Sequence, residues 1–208
     1  MKSIDHPIFQ ESIRYIRARL GYTGFDDIEQ QVLERLIHTS GDFGVQSLLR
    51  FSQGACNSGL NALRAGAPII TDTYMAAAAI TPMAARTLDS PVKCILDWVT
   101  DDNYQGVTRT ALGMERACIE LSSEFKDKKS PIFVIGSAPK ALITLLDFIA
   151  TDYLLPNLII GMPVGFIGVL ESKKLLSQTK VNQIRIEGNR GGAALASASV
   201  NALLRASI

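Results

Sequence analysis

Short apolar, β-branched runs alternate with segments of helical spacing through the last two thirds of the chain, and no other feature constrains the fold as much. The runs are Pro68–Asp72 (PIITD), Pro91–Asp97 (PVKCILD), Pro131–Ile135 (PIFVI), Asn157–Gly161 (NLIIG) and Gln183–Glu187 (QIRIE). Good helix formers fill Gly106–Phe125, Ala138–Asp152, Gly168–Ser177 and Gly192–Ala206. Parallel neighbours need crossover connections, so strand alternating with helix predicts a parallel sheet covered on both faces. Three more helical segments, near Pro7–Leu20, Asp26–His38 and Ser52–Ala65, precede the first run. The expectation is one α/β domain spanning residues 1–208, with a mainly parallel five-strand sheet flanked by helices and a helical N-terminal part.

Composition narrows the function classes. With 47% apolar and 20% charged residues, a chain of 208 residues can bury a sizeable core. Its formal net charge of +1 argues against a surface that coats polyanions, so no nucleic-acid partner is expected. Asp5 and Glu11 interrupt the first residues, which leaves no signal-peptide core. The stretch Leu154–Leu170 is broken by Pro156, Pro163 and three glycines, so it reads as a buried strand plus a loop and no membrane span is expected. The charged stretch Glu124–Lys129 (EFKDKK) reads as a solvated turn before a strand. Cys56, Cys94 and Cys118 are odd in number, far apart and without a CxxC pair, which fits a reducing cytoplasm and excludes a Cys-rich zinc site.

In open α/β sheets ligands sit beyond the carboxyl ends of the strands. Three glycine-bearing turns are expected there: Gly136-Ser137-Ala138-Pro139, the GMPVGFIG run from Gly161 to Gly168, and Gly188-Asn189-Arg190-Gly191-Gly192. At helix N-termini such turns can offer amide donors to anions. None matches GxGxxG or GxxxxGK[ST], so a nucleotide fingerprint is absent. His38 closes a segment whose buried stripe is Ile28, Val32, Leu33, Leu36 and Ile37. The helix dipole and Glu34, one turn back, would favour the imidazolium there, while Arg35 opposes it. A general acid is one reading of His38, and from spacing alone a capping histidine is the simpler one. No second histidine stands at i+4, so no metal site is expected. Arg14, Arg17 and Arg19 read as a solvated face, Lys173 as an exposed helical lysine, and Asp72 as either a cap or a functional carboxylate. Arg109 opens a helix where a positive charge opposes the dipole, a hint of an anionic partner.

The motifs RLIHTSGD (Arg35–Asp42), AGAPIITDTYM (Ala65–Met75), IGSAPKAL (Ile135–Leu142), IGMPVGFIGVLESK (Ile160–Lys173) and GNRGGAALASASVNALL (Gly188–Leu204) occur in an order that resembles the precorrin-8X methylmutase family of cobalamin biosynthesis. The resemblance runs from about Pro7 to Leu204, nearly the whole chain. It implies a cytoplasmic isomerase that moves the methyl group on C11 of a ring-contracted tetrapyrrole to C12. The product would be hydrogenobyrinic acid, or cobyrinic acid if cobalt is already present. It implies a homodimer that uses no separate cofactor. The family's functional histidine aligns with His38, its substrate-contacting serine and arginine with Ser12 and Arg35, and the arginine of a TRS-like motif with Arg109, here in TRT. Ser137, Lys140 and Ala193 depart from the residues usual at their positions, which puts the side-chain contacts of two loops in doubt.

A 1,5-shift of carbon around a conjugated macrocycle needs its π-system biased toward product, and an imidazolium held against the ring can do that. A polycarboxylate bound by a nearly neutral protein requires a few placed arginines and backbone amides. Arg35, Arg109, Arg190 and the turn at Gly191 and Gly192 make up that inventory. Two other classes fit in part. A nucleotide-dependent α/β oxidoreductase lacks its glycine turn, and a non-catalytic tetrapyrrole carrier leaves His38 without a role.

Overall fold

The computed structural model describes residues 6–99, 106–124 and 130–208. Among them one sheet holds β1 (Leu49–Phe51), β2 (Ile69–Thr71), β3 (Val92–Cys94), β4 (Ile132–Ile135), β5 (Leu158–Gly161) and β6 (Gln183–Ile186). Their order across the sheet is β1-β6-β5-β4-β2-β3. β2 to β6 are mutually parallel, in the registers Ile69↔Val92, Ile69↔Ile132, Ile132↔Leu158 and Ile160↔Ile184. The sixth strand, β1, lies antiparallel on β6 at one edge, with Leu49 opposite Ile186. Sequence reading misses it because a three-residue strand gives too little alternation to register. The run expected over Pro91–Asp97 is strand only to Cys94. The Asp97 carboxylate accepts a hydrogen bond from the Cys94 N–H, and residues Ile95–Trp98 wind into a 3₁₀ turn instead.

Helices cover both faces. α1 (Pro7–Leu20), α2 (Asp27–Ser40), α4 (Ala55–Arg64), α5 (Tyr74–Arg86) and α9 (Ala193–Ala206) share one layer, with a short helix α3 (Val45–Leu48) beside them. α6 (Arg109–Glu124), α7 (Pro139–Ala150) and α8 (Val169–Ser177) form the other. β4 divides its side chains between the two: Ile132 and Val134 join the first core, Phe133 and Ile135 the second. α9 reads ALASASVNALL and is buried on nearly all sides, so small residues let it lie between α2, α5 and the sheet. α5 escapes sequence reading because its alanine-rich face has little periodicity and Pro82 stands inside it. The EFKDKK stretch falls largely on residues 125–129, outside the described residues. No helix among the described residues is long and apolar enough to cross a membrane.

α2 begins with a capping box. Asp26 accepts the N–H groups of Ile28 and Glu29, and Glu29 reaches back to the Asp26 N–H. The helix runs two residues beyond His38, because the Ser40 hydroxyl donates to Leu36 O and left-handed Gly41 closes the last turn on Ile37 O. His38 therefore sits inside the last turn.

Candidate functional site

His38 and Ser12 come together from two helices. The Ser12 Oγ lies 2.8 Å from His38 Nδ1, which fixes the ring and leaves Nε2 as its free edge. Phe9, one turn before Ser12, meets the imidazole edge to face at 5.0 Å and 87°. The Arg35 guanidinium stacks over that phenyl ring at 4.8 Å, and so does Arg205 of α9 at 4.7 Å. α1 is held in place by Arg17, whose Nε and Nη2 each donate at 2.8 Å to the two carboxylate oxygens of Glu34. The expectation of a merely solvated Arg17 is thus corrected: the residue is 62% exposed, yet it clamps one helix to the next.

The same pair overturns the expected electrostatics of the histidine. Glu34 is 2% exposed and points under α1, with its charge taken by Arg17 and its Oε1 also accepting from Gln30. It gives no support to an imidazolium. Partial burial pulls His38 below its ordinary value, and the Arg35 charge adds to the effect. Both effects favour the neutral imidazole in the free protein. Beside it, Phe9, Ile13, Arg17, Gln31, Glu34, Arg35, Ala202 and Arg205 line a cavity of about 240 Å³ between α1, α2 and α9.

At the carboxyl edge of the sheet, three loops are tied into one platform. Met162 N–H donates to Ile135 O, Val164 N–H to Gly136 O, Gly165 N–H to Asn189 O, and Gly192 N–H to Met162 O. A Cβ on Gly136 would stand 2.6 Å from the backbone of Ala193, and one on Gly191 would stand 2.0 Å from Met162 O, so both approaches demand glycine. Two buried charges brace the platform. Asp72 Oδ2 accepts the N–H groups of Gly136, Ser137 and Ala138 at 3.0, 2.6 and 2.8 Å. Burial raises this carboxyl and those amides pull it back down. The turn expected to offer amides to an external anion has already given them to Asp72. Lys173 is 3% exposed, not the exposed lysine expected, and its Nζ donates to Gly188 O at 2.7 Å and Arg190 O at 2.6 Å. Burial brings it down to about 8, with Glu187 opposing.

Arg190 forms an ion pair with Asp42, four residues beyond His38, and so joins the platform to the end of α2. Gly191 and Gly192 open α9, which has no side-chain cap at its N-terminus. Val164, Phe166, Ile167 and Leu170 form an apolar lip beside Asn189, with Phe166 84% and Ile167 88% exposed. Arg109 is placed apart. It opens α6 in the opposite layer, where its charge acts on Tyr74 beside Asp97. The structure therefore gathers Ser12, Arg35 and His38, links Arg190 to them through Asp42, and leaves Arg109 elsewhere. Sequence reading did not anticipate that Phe9 packs against His38, Arg35 and Arg205. The one available signal was helical spacing, which sets Phe9 and Ser12 on one face of α1.

The fold and site define an α/β protein, built on a mainly parallel sheet, in which a serine-held histidine stands near partly buried arginines, groups of the kind that acid–base chemistry uses. Known proteins make the assignment specific. The precorrin-8X methylmutase family model matches residues 7–206. A cobalt-precorrin-8 methylmutase of Synechocystis sp. is 39% identical, covering 98% of this chain and 97% of its own. A precorrin-8X methylmutase of Pseudomonas aeruginosa is 36% identical, covering 94% and 93%. The crystal structure of precorrin-8X methyl mutase from Thermus thermophilus superposes with a TM-score of 0.83 at 34% identity, over 96% of this chain and 95% of the other. The chain belongs to the precorrin-8X methylmutase family.

Proposed function

We propose that this protein moves the methyl group from C11 to C12 of precorrin-8X or cobalt-precorrin-8, giving hydrogenobyrinic or cobyrinic acid, with His38 as the general acid and base. The observation that carries this reading is the Ser12–His38 pair, which orients an otherwise open imidazole beside a cationic cavity. The C11–CH₃ bond breaks and the C12–CH₃ bond forms with no net change in oxidation state, so the rearrangement needs no separate redox cofactor. The imidazolium Nε2 gives its proton to the macrocycle, biases the π-system toward migration, and takes the proton back. Ser12 Oγ accepts from Nδ1–H throughout, so the ring keeps one orientation while Nε2 cycles.

The apolar lip suits the flat body of the substrate, and the arginines suit its carboxylates. Arg35 binds one carboxylate arm beside the acid. Arg190 and the amides at Gly191 and Gly192 contribute from the platform side. Arrival of a polyanion offsets the charge of Arg35 and favours the imidazolium, so the substrate itself raises the acid it requires. Arg109 contributes to the site of a second copy in a homodimer.

Replacing His38 with alanine tests the assignment. The variant should bind the product corrin within a few-fold of the parent, because the lost interaction matters in the transition state. Methyl migration, followed by absorbance, should fall by at least about a hundred-fold, the lower range for loss of a positioned acid. Turnover close to that of the parent enzyme removes His38 from the chemistry.

A further inference from the structure

Ser12 on α1 meets His38 on α2 at 2.8 Å. Further along α1, Arg17 meets Glu34, which lies one turn back along α2 from His38. The two contacts progress in opposite directions along the two helices, so they stand as rungs between antiparallel neighbours. Ile16 is the buried residue of α1, with Ile13 and Leu20 packed in part against the core. Apolar contact of that kind is non-directional and leaves a helix free to slide or roll over its neighbour. The Arg17–Glu34 rung supplies the direction. Nε and Nη2 each donate at 2.8 Å to separate carboxylate oxygens, a fork that sets position and plane together. The receiving end is itself fixed. Glu34 is 2% exposed, and its Oε1 also accepts from the Gln30 amide, whose own oxygen accepts from the Thr23 hydroxyl between the helices. An exposed ion pair contributes little as a rule, but this one has a buried half that nothing in water can satisfy once the arginine leaves.

We infer that Arg17 is a positioning residue for the methyl migration: by fixing α1 on Glu34 it holds the Ser12 hydroxyl on Nδ1 of His38 and so aims Nε2. A hydrogen bond of 2.8 Å tolerates a shift of roughly half an ångström before it is lost. Without the fork, α1 keeps its apolar stripe and loses the contact that sets its register to that tolerance. The same movement takes the Phe9 ring off the imidazole edge, since Phe9 and Ser12 ride on one helix. Arg17 thus acts on the acid at one remove, through the helix that carries the serine.

The inference rests on the reading of His38 as the acid, and one arm of its test needs no substrate. His6 and His38 are the two histidines of the chain, so the NMR spectrum of His38→Ala assigns the ring nitrogens of His38. In the free protein, at a pH where the ring is neutral, Ser12→Ala should move the Nδ1 resonance. Arg17→Met should move it the same way, and adding Arg17→Met to Ser12→Ala should move it no further. In turnover, Arg17→Met should lower kcat about ten-fold or more in the parent background. On the Ser12→Ala background it should lower kcat less than about two-fold, because the arginine works through the serine. An Nδ1 resonance unmoved in Ser12→Ala or in Arg17→Met overturns the inference. So does an equal loss of kcat with and without Ser12, which would make Arg17 a support of the fold alone. If Arg17→Met does not fold because Glu34 is left charged and buried, Arg17→Met combined with Glu34→Gln removes the charge along with the clamp and is read by the same criteria. If His38→Ala turns over like the parent, the acid reading fails and takes the effect on turnover with it, while the Nδ1 resonance decides separately whether Arg17 places Ser12.

Discussion

At the residue scale the charge on Arg35 acts on His38, and in the proposed complex it would act on the ligand as well. Its guanidinium depresses the imidazole in the free protein, behind the larger effect of partial burial. The imidazolium is the active form of an acid, and its population falls as pH rises through the lowered value. The high-pH limb of kcat/KM, which reports the free enzyme, is therefore expected below the ordinary histidine value of about 6.5. The limb of kcat should lie at higher pH, because bound carboxylates offset Arg35. Arg35→Ala should move the kcat/KM limb upward while weakening product corrin binding about ten- to a hundred-fold, the equivalent of about 1.5–3 kcal/mol. An unmoved limb in that variant shows that another group titrates. His38 stood out in the sequence through its place at a helix end, and Ser12 and Arg35 only through the family resemblance; the fold adds that Ser12 and Arg35 both act on the histidine. The direction in which Glu34 faces was not legible, since i−4 spacing makes contact with His38 possible and only the packing of α1 decides against it.

The elements around the site transmit buried charge into loop position. Lys173 on α8 grips Gly188 O and Arg190 O, so it sets the loop whose arginine reaches Asp42 after α2. Lys173→Met keeps the side-chain length and removes the ammonium. It should weaken product corrin binding about ten-fold in the parent background and less than about two-fold on an Arg190→Ala background, because the lysine works through that arginine. Independent losses in this double-mutant cycle would mean Lys173 only supports the fold. Gly136→Ala tests the platform differently. The new methyl meets the Ala193 backbone, which cannot move aside as a flexible side chain would, so denaturant melts should show a loss of about 1–3 kcal/mol. The parallel strands were legible because each is a run of β-branched residues between turns. β1 and α5 were not, one for its three residues and the other for its inner proline. Lys173 was misread for a physical reason. A lysine in a helix normally faces water, and the carbonyls that bury this one lie 15 and 17 residues further along the chain.

At the scale of the whole molecule, Arg109 sits in the layer of α6 while His38 sits in the layer of α2. At about 240 Å³ the cavity beside His38 is too small to enclose a whole macrocycle. A second copy related by two-fold symmetry would supply the missing wall, exclude water from the acid, and present its own Arg109 to a carboxylate on the far rim. Sedimentation at micromolar concentration should show a dimer, and a fully active monomer would refute this arrangement. Subunit mixing then tests which chain furnishes which residue. His38→Ala and Arg109→Ala homodimers should each be nearly inactive, one for want of the acid and the other for want of a ligand anchor. In a mixed dimer one site carries both defects and the other carries neither, provided the two residues reach a site from different chains. Mixing equal amounts gives half mixed dimers at random association, each with one intact site. About a quarter of parent activity should return, in step with subunit exchange followed by native mass spectrometry. No recovery with mixed dimers present would place His38 and Arg109 in the site of a single chain.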